Sequence, residues 1–117
     1  LGAGVNFKWG TADCGHHMAK SVRQRHGPDH PILEYLNQYK DRRSALRLIR
    51  NEGGIANLLS RFFNEISPLS AKDGDIGVVM RNGIEAGCVV INGKAVGINE
   101  DGYYHLPITA LSRVFSV

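Results

Sequence analysis

The apolar positions of this 117-residue chain change period near its middle. In the first half they recur every three or four residues, the spacing of one helix face. Cys14, Met18 and Val22 stand four apart behind Asp13, a good N-capping residue, and the run breaks at Gly27. This predicts a helix from Cys14 to near Gly27 with Lys20, Arg23 and Gln24 on its other face. Pro28 and Pro31 interrupt it, after which Ile32, Leu33, Leu36 and Tyr39 predict a short helix. Ala45, Leu46 and Ile49 predict another, stopped by Gly53 and Gly54, and Ile55, Leu58, Leu59, Phe62 and Phe63 predict a fourth that runs on to Ile66. Ahead of all of them, a glycine-rich opening is expected to loop and to be tied down by Phe7 and Trp9.

After residue 66 the helical period is lost. Turn-rich SPLSAKDGD, in which Asp73 and Asp75 bracket a turn, leads into IGVVM, GCVVI, KAVGI and YYHLP, short β-branched or aromatic runs. Asn82-Gly83, Asn92-Gly93 and Asp101-Gly102 separate them, and these residue types tolerate the left-handed backbone of tight hairpin turns. The pattern predicts an antiparallel meander of at least four strands, then one helical turn after Pro107 and a final short strand. Helices followed by such a meander define an α+β fold, with the N-terminal helices packed on the C-terminal sheet in a single domain over residues 1–117.

Composition narrows the function classes. No run approaches the length of apolar residues that crosses a bilayer, so no membrane span is expected. Cys14 and Cys88 are the two cysteines, and neither belongs to a CxxC pair; reduced thiols are expected, with no metal and no cofactor. Residues 1–50 carry nine Lys or Arg against four acids, whereas residues 51–117 carry five against seven. Within the basic half, Arg42, Arg43, Arg47 and Arg50 offer a surface for nucleic acid, an acidic protein or an anionic polymer. The alternative is an ordinary solvated helix face.

Cys14 is the first chemical candidate, because a helix N-terminus favours a thiolate. A small core residue is the competing reading. A nucleophilic thiol needs a base within reach. His16 and His17 follow too closely on the same helix and are expected to be exposed, as are His26 at the helix end and His30 in the proline turn. His105, on the last strand of the meander, is the histidine that can be set opposite the helix start. HHMAKSVRQRH lacks the glutamate of a metallopeptidase HExxH helix, and neither a phosphate loop nor a dinucleotide fingerprint is present.

FKWGTADCG resembles the nucleophile motif of the NlpC/P60 papain-like cysteine peptidases, and KDGDIGVVM and EAGCVVING resemble the first two strands of that group's sheet. Over nearly its whole length the chain is still more similar to a DUF6950-like family of small phage proteins often found among tail or virion genes. The segments Tyr39 to Gly54 and Gly102 to Val117 carry that likeness.

The peptidase resemblance implies a papain-like fold with Cys14 as nucleophile and the amide groups at Asp13 and Cys14 as oxyanion support. It places the base at Glu85, where the peptidases have histidine. A carboxylate is a poorer base than imidazole at neutral pH and opposes thiolate formation beside it. The leading expectation is therefore a non-catalytic structural or assembly component of a phage tail or virion. Its partners would be other tail or virion proteins or further copies of itself, and it would be found in the virion or, during assembly, in the host cytoplasm. The alternative is a peptidoglycan-cleaving peptidase or amidase in which His105 serves Cys14. A further alternative is binding of nucleic acid or an acidic surface by the four arginines.

Overall fold

The computed structural model describes residues 13–36 and 38–117; the opening segment with Phe7 and Trp9 lies outside the described residues. Among the described residues four α-helices come first: α1 (Cys14–His26), α2 (Ile32–Leu36), α3 (Arg42–Asn51) and α4 (Ile55–Ser60). Six strands follow: β1 (Asn64–Ile66), β2 (Ile76–Arg81), β3 (Ile84–Ile91), β4 (Lys94–Asn99), β5 (Gly102–Pro107) and β6 (Arg113–Ser116). The chain is an α+β fold with N-terminal helices and a C-terminal antiparallel sheet.

Local chemistry sets the helix ends. Asp13 caps α1 by accepting from the His16 amide, and Gly27 (φ 82°) ends it. Asp41 and Ser44 form a capping box on α3. The fourth helix is shorter than its apolar spacing predicts: α4 stops at Ser60, and Asn64–Ile66 instead pairs with β6. Pairing partners far along the chain, which helical periodicity cannot register, decide that segment.

The sheet order is β1-β6-β2-β3-β4-β5, so the predicted meander is β2 to β5 and the last strand returns to its opposite side. Asn82-Gly83 and Asn92-Gly93 both take positive φ at each residue, as two-residue hairpins require. The β3–β4 ladder is short, with Val89↔Val96, Val90↔Ala95 and Ile91↔Lys94, whereas β2–β3 and β4–β5 pair along their length. Pairing between β3 and β4 stops before Cys88 and Gly97, at the place where α1 begins.

Two apolar clusters hold these layers. Met18, Val22, Ile32 and Leu59 from the helices pack with Ile76, Val78, Val89 and Phe115. Alternate strand positions, Val79, Cys88, Val90, Ala95 and Val114, form a second cluster with Leu111. Each Val, Leu, Ile, Met or Phe among them contributes about 1.5–3 kcal/mol on burial. Asp75 does more than bracket a turn: it is 2 % exposed, and its carboxylate accepts from the amides of Lys72 (2.9 Å) and Val117 (3.1 Å), which ties the chain end to the start of β2.

Candidate functional site

Cys14 stands in the first turn of α1, half-buried, against Gly87 of β3. Close approach of helix and strand depends on that glycine, because a Cβ there would lie 2.4 Å from the Met18 sulfur. The helix N-terminus does not prevail at this thiol. Burial pushes Cys14 up to about 11; the Gly87 and Gly15 amides oppose the rise, while Asp13 and Cys88 add to it. Desolvation and a neighbouring carboxylate thus oppose the thiolate that the helix end would favour.

Asp13 is 1 % exposed and organises the same turn. Its Oδ1 accepts from the His16 amide (3.0 Å), meets His16 Nδ1 at 2.9 Å and accepts from the Tyr39 hydroxyl. Burial, with the Asp13 hydrogen bond next, raises the Tyr39 phenol well above its ordinary value, so Tyr39 remains a neutral donor. A side chain engaged in this way is a buried anchor beside the thiol.

Glu85 occupies the position where the peptidase resemblance expects histidine. Register sets it opposite Met80, and its Oε1 accepts from the Ile55 amide at 2.7 Å. Gly54, at the N-cap of α4, offers no side chain, so Glu85, 30 positions beyond Ile55, supplies the cap.

His105 is exposed on β5 opposite Val96 and lines a groove with His17, Lys20, Gln24 and Tyr103. Cys14 lines a different groove, so the structure does not bring the two proposed partners together. The space between α1 and β4 is instead bridged by His17, whose Nε2–H donates to the Val96 carbonyl at 3.0 Å. His16 and His17 are therefore half-buried, contrary to their expected exposure. His26 is exposed, with Nε2 3.0 Å from the Val117 carbonyl, and His30 stacks on Phe63 at 5.1 Å between ring centres.

The groove at Cys14 has a volume of about 340 Å³. Residues of both β3 and β4, Ala86 and Ile98, contribute to it where their pairing has stopped, and Leu46 and Ile49 of α3 form another wall. Of the four arginines read from the sequence, Arg42 lines this groove. All four are exposed, and Arg43, Arg47 and Arg50, at spacings of four and three, share one stripe of α3. Sequence reasoning missed Tyr39, Tyr104 and Arg81. Tyr104 lies over Gly97 with its hydroxyl 3.8 Å from the Cys88 sulfur, and the Arg81 guanidinium sits 4.2 Å from the centre of its ring. Among the described residues, no three His, Cys, Asp or Glu side chains are grouped to hold a metal ion, and no helix is long and apolar enough to cross a membrane.

Fold and site together define an α+β domain with a capped cysteine helix, a protonated thiol at neutral pH and an apolar groove beside it. The family model described as Domain of unknown function (DUF6950) matches residues 2–117, and the chain belongs to that family. No curated protein and no solved structure matches it.

Proposed function

We propose that this domain is a non-catalytic module on a degenerate papain-like, NlpC/P60-type frame, serving as a structural or assembly component of a phage tail or virion. The observation that carries the non-catalytic part is Glu85. The position where the resemblance sets the catalytic base holds a carboxylate engaged with the N-terminus of α4. The thiol at Cys14, raised by burial, supports the same reading. The phage setting, with assembly in the host cytoplasm and tail proteins as partners, rests on the likeness of Tyr39 to Gly54 and Gly102 to Val117.

Purified protein incubated with peptidoglycan is expected to release no soluble fragments, with wild type and Cys14→Ala alike. Co-expression with candidate phage tail proteins is expected to give a complex that survives gel filtration. Fragment release that disappears in Cys14→Ala, with no complex formed, would replace this reading by the peptidase or amidase. Binding of an anionic surface is a second reading, favoured by the exposed stripe of Arg43, Arg47 and Arg50. It predicts retention on duplex DNA that weakens steeply with salt, and salt-independent retention would remove it.

A further inference from the structure

The groove beside Cys14 has a composition that the non-catalytic reading leaves unused. Its body is apolar, walled by Leu46 and Ile49 of α3, Leu58 of α4 and Ile98 of β4. On its rim Ile84 is 51 % exposed, a large apolar side chain left to solvent at a hairpin tip. A volume of about 340 Å³ falls at the small end of the range for small-molecule sites, which favours one compact ligand over a docked helix or domain.

Charge on the walls selects the ligand's head. Arg42 and Arg81 both line the groove, and among the described residues neither forms an ion pair, whereas Arg61 and Arg113 are matched with Glu52 and Glu65. Arg81 is held in place over the Tyr104 ring, so its guanidinium is positioned before any anion arrives. Two carboxylates also line the groove. Glu85 has an oxygen committed to the Ile55 amide, and Glu100 lies on the exposed turn between β4 and β5. A negative head can thus be met by the unpaired guanidiniums among the lining residues, with the apolar body against α3 and α4.

We propose that this groove binds a small amphiphilic carboxylate, an unbranched acyl chain with an anionic head. Apolar burial supplies the bulk of the affinity, and the two guanidiniums distinguish the carboxylate from a neutral chain of equal length. The site requires no reaction at Cys14, so it stands or falls separately from the catalytic question.

Titration calorimetry of the full chain at neutral pH, with decanoate and with decanol kept below their aggregation limits, tests this directly. Decanoate is expected to bind saturably at one site and about tenfold more tightly than decanol, the preference a charge-assisted contact provides. In Arg42→Gln/Arg81→Gln, decanoate is expected to fall to the affinity of decanol while decanol is unchanged; this also shows that the variant is folded. No saturable binding, equal affinity for the two chains, or a preference for decanoate that persists in the double variant would each overturn the proposal.

Discussion

Gly15 shows how little room surrounds the buried carboxylate at the start of α1. A Cβ at this position would stand 2.0 Å from the Tyr39 hydroxyl and 3.0 Å from its ring carbon. Alanine is the better helix former by about 1 kcal/mol, so propensity alone predicts that Gly15→Ala stabilises. Displacing the ring costs about 1–3 kcal/mol in packing, and a lost bond to the buried Asp13 costs about 1–3 kcal/mol more. Gly15→Ala is therefore expected to lower the free energy of unfolding by at least about 1 kcal/mol in urea titration; an unchanged or higher midpoint would refute the tight Asp13–Tyr39 contact. His17 gives a pH dependence at the same scale. Burial foremost, with Lys20 adding and the Val96 carbonyl opposing, holds its folded pKa below the ordinary 6.5. As pH falls through the ordinary range, the unfolded chain takes the proton first, so stability is lost on acidification. The melting temperature is expected to drop between pH 7.5 and 5.5. His17→Gln retains an N–H for Val96 but cannot titrate, and its drop should be smaller; equal drops would remove His17 as a source.

At the scale of elements, the cap on α4 is the informative case. Gly54 takes φ 107° and contributes no capping side chain, and the Glu85 carboxylate crosses from β3 to accept from the Ile55 amide. Glu85→Ala is expected to cost about 1 kcal/mol, the usual value of a lost N-cap, while Glu85→Gln, which retains a carbonyl acceptor, loses less. Equal stability of all three proteins in chemical denaturation would contradict the structural role. This contact also marks the limit of what could be read in advance. The Asp13 cap, the Gly27 stop and both Asn-Gly hairpins were legible because local chemistry decides them. The end of α4 at Ser60, the pairing of Asn64–Ile66 with β6 and the burial of Asp75 depend on partners 30 or more residues away, which no local pattern carries.

For the molecule as a whole, the candidate site was legible as residues and not as an arrangement. Cys14 and Glu85 were identified from motif position, and both line one groove. The pairing of Cys14 with His105 followed from the order of elements, but the register that sets His105 opposite Val96 directs it to the groove along Lys20 and Gln24. Grouping four arginines from one sequence run overlooked helical phase, which sends Arg42 toward the groove and leaves Arg43, Arg47 and Arg50 on an exposed stripe. The proposal that this domain is non-catalytic turns on Cys14, and the reactivity of that thiol tests it most directly. Alkylation of Cys14 by iodoacetamide would be followed from pH 6 to 10 in a Cys88→Ala background, against free cysteine as reference. A thiol raised to about 11 is predicted to react on the order of a hundredfold more slowly than the reference near neutral pH, with a rate still rising at pH 10. A rate that exceeds the reference and levels off below about pH 7.5 would mean an activated thiolate and would contradict the account.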